Sequence, residues 1–306
     1  MKNIILWTCL IFVVVAAALL LCGCVSVVTF NTYENADKYE AGNKTFGSDV
    51  KKVEINWCCG EIKIVKSSAS SVSVCESGDA DLPEEKRVHT YLDGDVLKIQ
   101  FWKSGLSSSV DSDKKHLTVE LPDGVDIKIN NTSAVISAEA LNTDNVEIIT
   151  ASGGISVGNI SSCNVRVVST SGGISIESIS SDDANIISTS GRIQIENADI
   201  ADVFDCGSVS GSVNVGSLKA LQVDISSNSG SINIGADVCD KIDIGTTSGS
   251  VDITLADGID ASVEYSSTSG SIKIEKEFYK SGNKYIIGNG GCDISVGSTS
   301  GSLKIR

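Results

Sequence analysis

The cysteines carry the most reactive side chains of this chain, and two of them are adjacent. There are 10 cysteines; three fall in the apolar N-terminal stretch and seven lie after it. An odd number cannot be fully paired, and no spacing is typical of a tetrahedral zinc site. Cys58 and Cys59 place two thiols side by side, which leaves redox chemistry open. The sequence does not fix the redox state of Cys58, Cys59 or Cys75.

Histidines and carboxylates are the other candidates for chemistry. His89 and His116 are the only histidines, and no Ser/His/Asp or Cys/His set can be assembled with them. β-Helix enzymes that cleave polysaccharides need clustered carboxylates with Arg or Lys on one face, whereas the basic residues here are scattered. We therefore expect no catalytic residue and no cofactor.

Aspartates recur eight residues before a repeated Ser-Gly step, at Asp144, Asp182, Asp202 and Asp240. Aspartate suits turns because its side chain bonds the nearby backbone, so we interpret these residues as turn residues. The alternative is a cation held between the stacked carboxylates of Asp182 and Asp202.

A short repeat must position all of these residues. It reads small-Ser-Gly-x-Ile-x-Ile and recurs at intervals of 19 to 21 residues, with one final interval of 31. A degenerate copy, Ser133-Ala134, begins the series. A unit this short cannot bury its own apolar face and must stack on its neighbours, which predicts a solenoid. The glycines of the step are Gly153, Gly172, Gly191, Gly211, Gly230, Gly249, Gly270 and Gly301.

The phase of the apolar residues indicates β-strands on both sides of the step. Apolar residues alternate with period two before the Ser and again after the Gly, and they are rich in Ile and Val. The parity switches at the Gly, so we expect a corner there with the glycine in a left-handed or bulged conformation. The predicted fold is all-β, a single-chain parallel β-solenoid of right-handed wind with coils of about 19 residues.

A column of hydroxyl residues lies two positions before each repeated Ser. Its parity and that of the step Ser match the apolar core, so we expect both to point inward and to bond their equivalents in the next coil. The outward alternative, an O-glycosylated face, is the weaker reading. The column comprises Thr150, Ser169, Ser188, Ser208, Ser227, Thr246, Ser267 and Ser298.

The two ends of the repeat region are irregular. Residues 48–130 form irregular N-terminal coils, in which Trp57 takes the hydroxyl position and plugs an end coil. Residues 131–306 form the regular repeats. Residues 277–291 interrupt them with a hairpin whose tip is Ser281-Gly282-Asn283, and this hairpin is expected to cover the edge of the last coil.

The cysteines outside the N-terminal stretch fit this repeat as unpaired residues. Cys206 replaces a core Ile, and Cys58 and Cys59 are placed on opposite faces of one strand, where a bond between them needs distortion. Cys163, Cys239 and Cys292 fall in turns of coils that are not neighbours. We therefore interpret the cysteines as free, small apolar side chains.

The N-terminus carries a membrane signal. Residues 4–28 are uncharged and apolar, long enough to cross a bilayer, and Lys2 precedes them. We expect residues 1–28 to be a signal-anchor or, alternatively, a lipoprotein segment with Cys24 lipidated. Residues 29–47 are expected to be a linker, and residues 48–306 to form the solenoid outside the cell. The net charge of −15 makes nucleic acid a poor partner.

The Thr-Ser-Gly-x-Ile-x-Ile coils after an apolar segment resemble the bacterial DUF4097 family of candidate adhesins. The resemblance covers residues 31–306 and includes Val53-Glu-Ile-Asn-Trp57 and the terminal repeat that ends at Ile305. It implies a surface β-solenoid without known catalysis and supplies no binding residues.

Together these observations favour a non-enzymatic, membrane-anchored protein outside the cytoplasm that serves adhesion or envelope scaffolding, with an unidentified glycan or protein ligand. The alternatives are a carbohydrate-active β-helix enzyme and an envelope-stress sensor or accessory protein.

Overall fold

A computed structural model describes residues 32–78, 82–106 and 115–306. The predicted membrane segment and Cys24 lie outside these residues, and none of the described residues forms a helix that is long and apolar enough to span a bilayer. The prediction of an all-β chain is confirmed: the described residues form 24 strands and two short 3-10 helices, with no α-helix among them. They fall into two compact units rather than one, divided between Gly172 and Gly173.

The N-terminal unit contains the first twelve strands. The predicted linker is not patternless, because residues 36–46 contain a 3-10 helix, η1, and two short strands that pair with later ones. The elements are η1 Ala36–Lys38, β1 Glu40–Ala41, β2 Lys44–Phe46, β3 Lys52–Trp57, β4 Glu61–Lys66, β5 Val72–Gly78, η2 Glu84–Lys86, β6 His89–Asp93, β7 Val96–Gln100, β8 Lys115–Leu121, β9 Asp126–Asn131, β10 Val135–Asn142, β11 Asn145–Thr150 and β12 Ile155–Ser169.

These strands form two ladders. The first runs β1–β6–β7–β3–β9–β11 and ends on the second half of β12. The second runs β2–β5–β8–β4–β10 and ends on the first half of β12. The repeat strands pair in parallel and in register, so that Val53, Ile127, Val146 and Val165 stack in one buried column. In-register stacking of β-branched residues is what the repeat period predicts.

The order of the coils in space differs from their order in the chain. The coil formed by β3 and β4 lies between the coil of β7 and β8 on one side and the coil of β9 and β10 on the other. Trp57 is therefore not in an end coil, although it is fully buried as predicted. Phe101, in the coil beyond, packs its ring against Trp57 with centroids 4.7 Å apart.

The C-terminal unit contains the other twelve strands. They are β13 Ile174–Ser188, β14 Ile193–Ile200, β15 Val203–Ser208, β16 Val213–Ser227, β17 Ile232–Thr246, β18 Val251–Leu255, β19 Ala261–Ser267, β20 Ile272–Ile274, β21 Tyr279–Ser281, β22 Lys284–Ile287, β23 Cys292–Ser298 and β24 Leu303–Ile305.

This unit also has two ladders, and its coils are again out of chain order. One ladder begins with the second half of β13 and runs β13–β15–β16–β17–β23–β19–β22–β21. The other begins with the first half of β13 and runs β13–β14–β16–β17–β18–β24–β20. The last repeat of the sequence consists of β23 and β24. It lies between β17 and β18 on one side and β19 and β20 on the other.

The predicted hairpin is present, but it covers a different strand. β21 and β22 pair antiparallel, with Ser281 opposite Lys284, so the tip is Gly282-Asn283. β22 then pairs antiparallel with β19. The hairpin does not cover the edge of the last repeat, because β19 and β20 already occupy that edge.

One disulfide corrects the expectation that the cysteines are unpaired. Cys239, in β17, bonds Cys292, at the start of β23, with their Cα atoms 5.7 Å apart. The prediction assumes that the coils stack in chain order. In the structure β17 and β23 are neighbours, which brings Cys239 and Cys292 together. Cys206 is fully buried in the core, as predicted.

The corner glycines serve a different purpose from the one predicted. None of the eight repeat glycines has a positive φ. Gly60, which lies at the corner between β3 and β4 and is not one of the eight, has a φ of 87°. Instead, the coils approach closely. A Cβ on Gly172 would overlap the carbonyl oxygen of Gly153, and one on Gly230 would overlap that of Gly211. Glycine is needed because another backbone occupies the space of its side chain.

The hydroxyl column points inward, whereas the step Ser does not. Ser169, Ser188, Ser208 and Ser227 are at most 1% exposed, but every step Ser from Ser152 to Ser300 is exposed. The parity therefore switches before the Gly.

Most of the inward hydroxyls form hydrogen bonds within their own coil. The prediction was that each would form a hydrogen bond with the equivalent hydroxyl of the next coil. Thr246 Oγ1 accepts from the Gly249 N–H at 2.9 Å, and Ser298 Oγ accepts from Gly301 at 2.6 Å. This bond three residues along satisfies the N–H of the buried glycine and fixes the corner.

Candidate functional site

The residues predicted to do chemistry are not brought together. Asp182 and Asp202 are both exposed, but only Asp202 lies in a bend, between β14 and β15, whereas Asp182 lies within β13. The Asp202 N–H donates to the Asp182 carbonyl at 2.9 Å, so their backbones pair. Within residues 32–78, 82–106 and 115–306, no group of three or more His, Cys, Asp or Glu is arranged to hold a metal ion.

The two histidines lie in different ladders. His89 is 5% exposed, with Nδ1 at 2.8 Å from the carbonyl oxygen of Arg87. Burial lowers its pKa, since a charged imidazole is poorly solvated there. His116 Nδ1 lies 3.2 Å from Glu61 Oε2 near the surface.

The most prominent exposed apolar surface among the described residues is the hairpin of the C-terminal unit. We call residues 277–287 the aromatic hairpin. Phe278 is 44% exposed and Tyr279 is 59% exposed, and every residue from 277 to 283 is exposed. Large exposed side chains clustered in this way are typical of interaction sites.

Packing within the hairpin orders its rings. Phe278 and Tyr285 meet edge to face, with centroids 5.3 Å apart, and Lys280 Nζ lies 4.6 Å from the centroid of Tyr285. The pairing of β22 with β19 and the buried side chain of Ile287 fix the hairpin to the unit. An ion pair of 3.1 Å between Lys284 Nζ and Asp293 Oδ1 adds a second attachment.

The outer edge of the hairpin is open. Among the described residues, β21 pairs only with β22, so its other backbone edge has no strand partner. Exposed rings can stack on sugar faces, and an open edge can accept an extended peptide. The sequence predicted the hairpin but not this surface. The signal was the pair Phe278-Tyr279 in a chain with only 5% aromatic residues.

The comparisons with known proteins point to one family. The family model described as Toastrack DUF4097 matches residues 50–306. No curated protein matches the chain.

Similar solved structures include two candidate adhesins. One, from Bacteroides fragilis, is 13% identical with a TM-score of 0.44, and the match covers 86% of this chain and 96% of that one. The other, from Parabacteroides merdae, is 11% identical with a TM-score of 0.45, and covers 87% of this chain and 96% of that one. A candidate lipid-binding protein from Parabacteroides distasonis is 14% identical with a TM-score of 0.42, over 87% of this chain and 97% of that one.

Proposed function

Because this chain belongs to the Toastrack DUF4097 family, we propose that it is a non-enzymatic binding module that serves adhesion or envelope scaffolding. Its repeats are those of a β-solenoid of right-handed wind. Residues 4–28 anchor it to the membrane and leave the described residues outside the cytoplasm.

The observation that carries the proposal is the aromatic hairpin. It presents three rings, and Phe278 and Tyr279 are among the most exposed large apolar side chains of the described residues. Tyr279 lies in β21, whose outer edge is open, while Tyr285 lies in β22. A soluble domain gains nothing in stability from such exposure, and the rings are available to a partner. The favoured ligand is a surface glycan, whose apolar sugar faces stack on aromatic rings.

The test is binding of the purified chain to a glycan array, compared with the double variant Phe278→Ser/Tyr279→Ser. We expect the wild-type chain to bind and the double variant to bind at least about tenfold more weakly, since two buried contacts of 1 kcal/mol or so each are lost. Leu221→Ser is the control, because Leu221 is similarly exposed, at 51%, but lies outside the hairpin.

The result also separates binding from catalysis. Equal binding by the wild-type chain and the double variant would refute the hairpin as the contact surface. Cleavage of an array polysaccharide that is lost in Asp182→Asn/Asp202→Asn would instead support the carbohydrate-active alternative.

The anchor is tested separately. Protease added to intact, wall-stripped cells should digest the described residues. Full protection, under conditions that digest a surface control, would contradict the extracytoplasmic location. Loss of lipid labelling in Cys24→Ala would assign a lipoprotein anchor rather than a signal-anchor.

A further inference from the structure

Two thiols that form no disulfide meet at the first corner of the N-terminal unit. Cys58 and Cys59 connect β3 to β4, and neither belongs to a strand, so they do not lie on opposite faces of one strand as the sequence suggested. Their side chains hydrogen-bond to each other. Cys59 is 6% exposed and Cys58 is half-buried, so one thiol faces the interior while the other is accessible.

The local backbone differs from that of the regular corners. Gly60 adopts φ of 87°, which the corner glycines of the repeats do not. The residue aligned with Cys59 in the next coil is Ser133, which is exposed, whereas Cys59 is buried. The first corner therefore holds a pair of thiols where the next coil presents the surface hydroxyl of Ser133.

A buried ammonium lies in the same region. Lys115 is 4% exposed, and its Nζ lies 2.7 Å from Glu76 Oε1 in an ion pair whose two side chains are almost fully buried. The same Nζ lies 5.0 Å from the ring centroid of Trp57, the residue that precedes Cys58. Its charge acts on both thiols. A cation in a site of low dielectric favours the thiolate over the thiol.

The electrostatics agree with this geometry. The hydrogen bond with Cys59 lowers the pKa of Cys58 most, a hydrogen bond with Thr132 and the charge of Lys115 lower it further, and burial opposes them, so that the pKa falls to about 7. The buried Cys206 behaves in the opposite way, since burial, with a further contribution from the charge of Asp205, raises the pKa of its thiol. Near neutral pH, about half of the Cys58 side chains are then thiolate, compared with a few per cent for a thiol of ordinary pKa.

We propose that Cys58 and Cys59 form a dithiol site that reacts with small organic disulfides. The Cys58 thiolate attacks one sulfur of R–S–S–R, forms Cys58–S–S–R and releases R–S⁻. Cys59 then loses its proton, attacks Cys58 Sγ and displaces the second R–S⁻. The products are a Cys58–Cys59 disulfide and two R–SH, so the protein loses two electrons and two protons and the small disulfide gains them.

The geometry also makes the oxidised state reversible. Adjacent Cα atoms are about 3.8 Å apart, below the usual separation of about 4.4–6.8 Å in disulfides. A disulfide closed between neighbouring residues is therefore strained and easily reduced by the same thiols that it releases.

The first experiment measures alkylation of the full chain by iodoacetamide as a function of pH, resolved by peptide mass spectrometry. Trypsin releases Val53–Lys63, which carries both thiols. The exposed thiols of Cys75 and Cys163, which form no disulfide, are internal references. We expect the rate at Cys58 to rise with a midpoint near pH 7. A midpoint equal to theirs overturns the proposal.

The role of Lys115 is tested in Glu76→Gln/Lys115→Met, which removes both charges of the buried pair and so leaves neither uncompensated. The Cys58 midpoint should rise toward the references while the urea midpoint shows that the variant is folded. An unchanged Cys58 midpoint in the folded variant overturns the assignment of Lys115.

The second experiment treats the chain with a large excess of oxidised glutathione, so that little reduced glutathione is present to reopen a strained disulfide. In the wild type, Val53–Lys63 should lose two hydrogen atoms and carry no glutathione, because Cys59 displaces it. In Cys59→Ala, Cys58 should retain the glutathione adduct. Retention of the adduct on Cys58 in the wild type, or no reaction there while Cys163 is modified, overturns the proposal.

Discussion

At seven of the eight repeat corners, a glycine is needed because a carbonyl oxygen of the adjacent coil occupies the position of a Cβ. Gly153 and Gly154 show the distinction within one coil. A Cβ on Gly153 would overlap the carbonyl oxygen of Ala134, whereas a Cβ on Gly154 has nothing within 4 Å. Neither residue has a positive φ, so backbone strain does not separate them. The two positions are a matched pair for a test of close coil stacking.

We predict that Gly153→Ala destabilises the protein by more than about 3 kcal/mol, the upper range for overpacking, because the overlap is with backbone and not with a movable side chain. Gly154→Ala should change the free energy of unfolding by no more than about 0.5 kcal/mol. Urea denaturation followed by circular dichroism measures both. Equal urea midpoints would show that the coils do not approach at this column.

The positions of these columns could be predicted from the sequence, but the reason for the glycine at the corner could not. Alternation of Ile and Val placed the strands and the buried hydroxyl column correctly, because side-chain period follows directly from strand geometry. It also suggested a left-handed corner glycine and an inward step Ser such as Ser152. The backbone conformation of the glycine and the direction of the serine both depend on how close the neighbouring coil lies. The sequence of a single repeat does not contain that distance.

At the scale of the elements, the decisive feature is the order in which coils stack. Periodicity predicts that equivalent strands pair, but not which copy pairs with which, since every copy has the same pattern. The observed order places β3 between β7 and β9, and β23 between β17 and β19. The disulfide was missed for the same reason, because Cys239 and Cys292 are neighbours only in the observed order.

This disulfide should stabilise the C-terminal unit. It closes a separation of 53 residues, for which loop-closure entropy predicts about 4 kcal/mol. We expect a reducing agent to lower the urea midpoint of the wild-type chain and of Cys163→Ser. Cys239→Ala/Cys292→Ala should already have the lower midpoint and not respond further. A wild-type midpoint that is insensitive to reduction would contradict the pairing.

At the scale of the whole molecule, the described residues form regular repeat surfaces of exposed Ser, Asn and charged side chains, interrupted by one aromatic hairpin. The net charge of −15 keeps such a chain soluble and repels other polyanions. Composition and repeats predicted this general character and the hairpin itself. They did not identify the hairpin as an exposed aromatic surface, because exposure depends on β22 pairing with β19 rather than on the hairpin sequence.

The last repeat of the sequence lies between two other coils and not at the end of the stack. Pairs of cysteines on neighbouring strands test this order most directly. In the observed order Asp252 is opposite Lys304, and Lys304 is opposite Lys273. Neighbouring strands are about 4.8 Å apart, within disulfide range, whereas strands two places apart are too distant.

We predict that Asp252→Cys/Lys304→Cys and Lys304→Cys/Lys273→Cys form disulfides on mild oxidation, and that Asp252→Cys/Lys273→Cys does not. Mass spectrometry of the linked tryptic peptides distinguishes these pairs from the native cysteines. Efficient linkage of Asp252→Cys to Lys273→Cys, without linkage of either to Lys304→Cys, would show that the coils stack in chain order and would contradict the account.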